Sequence, residues 1–240
     1  MKKFKSFVLL TIALVATQSL MAYNWTKTVR GNGNVTKEVR KVESFSGIKS
    51  SAGINVYLFQ GDEEKVVVET DENLQECLIT EVDGSVLKCY MDCNVRHSTK
   101  LNVYVNFKTL NKIKASSGSD VYGETPISTD HLDIDVSSAA DVKVEVHASS
   151  IDCEASSGAD AVIKGKAEYF DGDASSGADI KASDLRVKSC KASASSGADI
   201  HISVSDKIDA HASSGGDVVY YGNPEIEHIS ESSGGDVRHR

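Results

Sequence analysis

"ASSGAD" occupies residues 155–160, returns at 174–179 and returns again at 194–199. Looser copies extend the series: "ASSGSD" at 115–120, "VSSAAD" at 136–141, "ASSGGD" at 212–217 and "ESSGGD" at 231–236. The first serines are Ser116, Ser137, Ser156, Ser175, Ser195, Ser213 and Ser232, so the steps are 21, 19, 19, 20, 18 and 19 residues. A period near nineteen has to be explained by a structural unit of that length.

Between these signals apolar and polar residues alternate. "DVKVEVHA" at 141–148 puts Val142, Val144 and Val146 on one side, and "DIHISV" at 199–204 does the same with Ile200, Ile202 and Val204. Period two is the strand signature, and helical periodicity is absent from this half of the chain. A unit of nineteen residues holding two or three short strands cannot bury its apolar face alone, so copies must stack. A propeller blade needs about 40 residues. A leucine-rich repeat needs a leucine ladder and asparagine that are missing here. The remaining solution is an all-β, parallel β-helix with one coil of about 19 residues per repeat, each glycine sitting at a corner that needs positive φ. Val142, Ile180, Ile200 and Val218 follow their repeats' Asp and are expected in one interior column.

Residues 38–114 are also rich in strand patterns, such as "GINVYLFQG" (53–61), "KVVVET" (65–70), "SVLKCYM" (85–91) and "LNVYVNF" (101–107), but lack the regular step. They are read as broader starting coils of the same solenoid, followed by regular coils over 115–240. Within them "DENLQECLITEV" (71–82) is the one stretch that could take a helical turn or two. Residues 23–37, containing Tyr23, Trp25 and "RGNGN", form a leader that is flexible or pairs with a sheet edge. Gly31 and Gly33 do not open a helix after a strand, so this is not a phosphate loop.

The first 22 residues, "MKKFKSFVLLTIALVATQSLMA", place three lysines before an apolar run from Phe7 to Ala16. That is the pattern of a secretory signal peptide. The run is too short for the ~20 residues of a membrane span, so no span is expected after its removal. Loss of Lys2, Lys3 and Lys5 takes the net charge from −9 to −12. Such acidity, with no cluster of Lys and Arg, argues against a nucleic-acid partner. The localisation implied is exported: periplasmic, cell surface or extracellular.

Five cysteines stand at Cys77, Cys89, Cys93, Cys153 and Cys190. Cys153 and Cys190 are in phase with apolar neighbours and about two coils apart, roughly 10 Å at the spacing of paired strands. That exceeds the ~7 Å limit for a disulfide, so both are read as small buried hydrophobes. Cys89 and Cys93 form the better candidate pair. No spacing matches a zinc site.

The combination of "FSGIKSSAGINVYLFQG" (45–61), "VVVETDENL" (66–74), "LKCYM" (87–91) and the serial Ser-Ser-Gly-x-Asp turns resembles the GIN-domain family, head domains of autotransporter adhesins. The likeness covers about residues 38–236. It implies a right-handed parallel β-helix on an exported bacterial protein that serves in adhesion, and it carries no catalytic motif. Only "VRHR" follows the last turn, so a translocator barrel is not expected in this chain.

The repeated Asp120, Asp141, Asp160, Asp179, Asp199, Asp217 and Asp236 should stack as a column of carboxylates about 4.8 Å apart. One expectation is that each, helped by Ser116, Ser137, Ser156, Ser175, Ser195, Ser213 and Ser232, accepts hydrogen bonds from turn amides and hydroxyls. The other is that the column binds calcium, which takes six to eight oxygens; the repeat is poorer in Gly and Asp than calcium-binding β-rolls. A glycosidase needs two singular carboxylates in a cleft, whereas these acids are periodic and long inserted loops are missing. The seven histidines, His97, His131, His147, His201, His211, His228 and His239, show no ligand spacing. The favoured function is therefore a non-catalytic binding module contacting a glycan or protein, with no cofactor, metal or catalytic residue assigned. The alternative is a carbohydrate-active enzyme or a calcium-stabilised scaffold. Open strand edges at the last coil also suggest a weak tail-to-tail homodimer.

Overall fold

The computed structural model describes residues 28–240. The expected signal peptide, residues 1–22, and the leader residues Tyr23 and Trp25 lie outside the described residues. The strands of the N-terminal part are β1 (Thr28–Arg30), β2 (Val35–Arg40), β3 (Gly47–Ser50), β4 (Asn55–Gln60) and β5 (Lys65–Asp71), then β6 (Leu78–Asp83), β7 (Val86–Met91), β8 (Asn94–His97) and β9 (Leu101–Phe107). The repeats carry β10 (Lys112–Ala115), β11 (Asp120–Gly123), β12 (Ile127–Ser137), β13 (Asp141–Ser156) and β14 (Asp160–Ser175). They continue through β15 (Asp179–Ser195), β16 (Asp199–Ser213), β17 (Asp217–Tyr221), β18 (Ile226–Ser232) and β19 (Asp236–His239).

The repeats form a parallel β-solenoid. Asp141 pairs with Asp160, Asp160 with Asp179, Asp179 with Asp199, Asp199 with Asp217 and Asp217 with Asp236, so each repeat lies in register on the last. Val142, Ile180, Ile200 and Val218 share one column and are fully buried, as the alternation requires. The coils are not built from several short strands. β13 to β16 each run unbroken from the Asp to the next Ser, and alternation slips inside them, as at Lys164–Lys166 and Glu168–Tyr169 of β14. Each slip puts non-alternating residues on the outside and turns the strand a corner. Gly165 occupies the first such corner with φ of 112°, and a Cβ there would stand 2.2 Å from the Val146 carbonyl oxygen.

The third corner is the Ser-Ser-Gly turn. In "ASSGAD", Ala155 and Ala159 point inward, Ser157 and Gly158 are exposed, and Asp160 begins the next strand. The second serine and the glycine both have positive φ, 57° at Ser157 and 67° at Gly158, the pair of values a type I′ turn demands. The Gly158 N–H donates to the Ser176 carbonyl of the next coil, and Gly177 repeats this with Ser196. The turn therefore belongs to the ladder rather than interrupting it. It also begins earlier than the serial motif suggests. Ala52 and Gly53 have the same positive φ, and the Gly53 N–H donates to Ser117.

The region before the regular repeats is only partly a set of starting coils. β3 and β4 pair in parallel with β10 and β11 above, and with β7 and β9 below. Around this parallel stack, β5 runs antiparallel to β9, β2 antiparallel to β5, and β6 antiparallel to β7. One continuous apolar core runs from Phe45 through Tyr220. The leader residues that are described pair with edges: β1 with β8, and β2 along β5. The helical stretch expected within 71–82 amounts to a single 3₁₀ turn, Glu72–Leu74.

Among the described residues no helix is long and apolar enough to cross a membrane. Cys89 lies in the core, its thiol pKa pushed up to about 12 by burial, and the candidate disulfide with Cys93 is not formed. Cys153 and Cys190 are buried as expected, and burial raises both thiols. They sit in different columns: Cys153 in register with Gly172, and Cys190 with Phe170.

Candidate binding surfaces

The corners divide a coil such as β14 into three faces. The first begins at the Asp column. Its carboxylates are not satisfied by turn amides, as the sequence suggested, because the backbone ladder already uses those donors. Side chains two positions further along bind them instead. Lys181 Nζ lies 3.0 Å from both Asp160 and Asp179, Lys143 reaches Asp141 at 3.3 Å, and Arg238 spans Asp217 and Asp236 at 3.1 and 2.6 Å. At the lower end the Tyr122 hydroxyl donates to Asp120 at 3.0 Å. Asp199 makes no such ion pair among the described residues. Burial, together with the charges of Asp179 and Asp217, raises its pKa.

Next to the Asp column runs an aromatic ladder that sequence reasoning missed. Tyr104, Tyr57 and Tyr122 are in register on β9, β4 and β11. Their rings stack at centroid distances of 5.1 and 5.4 Å. Lys37 lies over the free face of Tyr104 and Lys143 over that of Tyr122. Every ring face is thus occupied from within the protein, so this ladder stabilises the sheet rather than offering a platform to a ligand.

The third face carries an acidic grid. Asp133, Asp152 and Asp171 form one column, and Asp135, Glu154 and Asp173 the next. Lys112, Lys114 and Lys191 pair with Asp133, Asp135 and Asp171 around its margins. A depression of about 290 Å³ lies over Glu154, Asp173 and the neighbouring serines. Among the described residues no three His, Cys, Asp or Glu side chains converge as a ligand set for a metal ion. The histidines are scattered: His131 contacts Ser150 at 2.9 Å, and His239 stacks on Tyr220 at 4.9 Å.

The second face, between the two corners, holds a groove of about 470 Å³. Ala167, Val187 and Val204 line its floor, with Tyr221 and Gly222 at one end and Ser203 and Ser205 along the side. Its cations are Lys166, Arg186 and Lys188, and its single carboxylate, Glu168, is taken by Lys188 at 2.5 Å. Lys166 and Arg186 are direct cross-coil neighbours. Neither has an ion-pair partner among the described residues. The sequence held a signal for them in "KGKA" (164–167) and "LRVK" (185–188), one coil apart, but only the register reveals their adjacency.

Stacked, in-register coils with shallow charged sides define a parallel β-solenoid. Residues 44–224 match the family "Putative auto-transporter adhesin, head GIN domain". The chain belongs to that family. A crystal structure of a "putative adhesin" from Bacteroides fragilis is similar at TM-score 0.83 and 22% identity, covering 88% of this chain and all of that one. A "putative adhesin" from Parabacteroides distasonis matches at TM-score 0.71 and 25% identity, with the same coverage of 88% and 100%. A "putative lipid binding protein" from the same species matches at 0.72 and 21%, again covering 88% and 100%. No curated protein matches significantly.

Proposed function

We propose that this protein is a non-catalytic binding module, exported to the cell surface, whose lateral faces contact a glycan or a protein. Membership of a family of adhesin heads supports export and surface display. The observation that carries the reading is the in-register exposure of side chains on every coil from Asp141 to Asp217. Such ladders present a rigid, repeating surface, and a ligand that meets it loses little to reorganisation of the protein. The acids follow the same repetition instead of forming one singular pair, so the arrangement suits contact better than bond cleavage.

A glycan array and a polysaccharide-degradation assay on the same sample test this reading. Retained array signals without depolymerisation are expected, together with protein recovered at the surface of intact producing cells. Release of reducing ends from any polysaccharide would replace it with an enzymatic one.

A further inference from the structure

We propose that the groove on the second face is a subsite for a carboxylated sugar of an acidic glycan, with Lys166 and Arg186 receiving the carboxylate. This rests on the binding-module reading and names its ligand class.

The argument begins with charge. The chain carries a net −9, and most of the cations beside its repeat ladders are tied to carboxylates, as Lys112, Lys143, Lys164, Lys181, Lys188 and Lys191 are. Lys166 and Arg186 break that rule at adjacent positions in the register. Like charges opposite one another on a sheet are destabilising, and the nearest acid of the groove is already committed to Lys188. An incoming carboxylate relieves the repulsion, and the planar arginine fork can hold both of its oxygens.

The floor selects what carries that carboxylate. Ala167, Val187 and Val204 are 8%, 3% and 3% exposed, which leaves a thin apolar strip rather than a slot. An acyl chain laid there would remain mostly in water. The apolar face of a sugar ring needs only such a strip, with Tyr221 available for a flat contact at one end. The Ser203 and Ser205 hydroxyls donate to the Ser183 carbonyl and the Asp206 carboxylate at 2.6 and 2.5 Å. Their oxygens therefore retain lone pairs to accept from sugar hydroxyls. Gly222 has φ of 108°, and any Cβ there would stand 2.1 Å from the Val204 carbonyl oxygen, so this end of the groove has no side chain across it.

The test measures affinity for polygalacturonate, with dextran as the neutral polymer and phosphatidylglycerol vesicles as a lipid surface. The double variant Lys166→Ser/Arg186→Ser should weaken polygalacturonate binding at least about tenfold. A control removing the same charge elsewhere, Lys41→Ser/Lys108→Ser, should change it less than about twofold. All four side chains are exposed and lack ion-pair partners among the described residues, so both variants should keep the wild-type circular dichroism and melting temperature. Equal losses in both variants, unchanged affinity in the groove variant, or tighter binding to dextran or vesicles than to polygalacturonate would overturn the assignment. If the groove variant keeps the wild-type array signals, the subsite is wrong and the binding-module reading stands. If the wild-type protein binds no glycan, protein or cell, both fail.

Discussion

Tyr57 stacks on Tyr104, a residue of a different coil, with ring centroids 5.1 Å apart and planes 17° from parallel. Because Tyr122 covers the opposite face of Tyr57 at 5.4 Å, the middle ring has two aromatic neighbours and no open face. Stacked aromatic pairs contribute about 0.5–1.5 kcal/mol each beyond their buried area. Tyr57→Ala should therefore lower unfolding free energy by about 2–3 kcal/mol in urea titrations. The Tyr57 hydroxyl has no hydrogen-bond partner among the described residues, so Tyr57→Phe should stay within about 0.5 kcal/mol of wild type. A large loss in the Phe variant would show that the hydroxyl, not the stack, matters.

The turn corner predicts substitutions that stabilise. Ala139 stands where the other copies have glycine and is held at φ of 57°, a conformation that costs an L-residue about 1 kcal/mol. Ala139→Gly should raise stability by about that amount. The reciprocal change, Gly177→Ala, should lower it similarly: its φ is 70° and an added Cβ meets nothing within 4 Å, so backbone strain is the whole effect. Ser176, at φ of 56°, makes no side-chain hydrogen bond among the described residues, and nothing in the structure explains why serine rather than glycine or asparagine holds that place. Differential scanning of the three single variants checks the signs, and a destabilised Ala139→Gly protein would contradict them.

What was legible in the sequence was whatever repeats at a fixed step. The nineteen-residue period and the alternation after each Asp placed Val142, Ile180, Ile200 and Val218 correctly, because register in a stacked coil follows directly from the repeat. The tyrosine ladder was written in the chain as "NVY" at 55–57, "NVY" at 102–104 and "DVY" at 120–122. It was hidden because coil order and chain order differ there: β9 lies beneath β4, while β11 lies above it. The partners of the Asp column were missed for another reason. Turn amides are local donors and look available in sequence, but the stacked backbone consumes them, leaving the carboxylates to Lys143, Lys181 and Arg238. Lys166 and Arg186 required the register across the bulge in β15, where pairing jumps from Val162–Lys181 to Gly165–Leu185.

Asp199 should destabilise the protein at neutral pH. Its neighbours Asp179 and Asp217 are bound by Lys181 and Arg238, and Asp199 has no ion pair of its own among the described residues. Burial and the two adjacent carboxylates raise its folded pKa above that of an ordinary carboxyl. A raised acid pKa means the folded state holds the proton more tightly, so this penalty is full above the folded value and fades as pH falls through it. Asp199→Asn should therefore add about 0.5 kcal/mol at pH 7, with the gain shrinking in acid. Urea titrations at pH 7 and pH 4 measure both halves, and a gain that grows on acidification would refute the account.

The "RGNGN" segment does cradle an anion, and the anion is internal. Asp71 is fully buried at the end of β5 and accepts from the Gly33 N–H at 2.6 Å, the Thr99 N–H at 2.7 Å and the Thr99 hydroxyl at 3.0 Å. It thereby ties the segment between β1 and β2 to the loop before β9. Burial alone would raise this carboxyl, but the hydrogen bonds from Thr99 and Gly33 outweigh it and hold the pKa below 3.8. A depressed acid pKa stabilises the fold fully above the unfolded value, and the contribution is lost as pH falls through the folded one. Asp71→Ala should cost about 3 kcal/mol at pH 7, since it leaves several buried donors unsatisfied. Asp71→Asn keeps the shape and loses the charge. Its deficit against wild type should be largest at neutral pH and narrow below about pH 4, as the wild-type carboxyl itself becomes neutral. Gly31→Ala offers an independent check, because its Cβ would stand 2.6 Å from the Asp71 carboxyl carbon and push the clamp open without altering any charge. Unfolding measured from pH 7 to pH 3 on all three variants decides the matter: a deficit for Asp71→Asn that stays constant across that range would show that the charge of Asp71 contributes nothing.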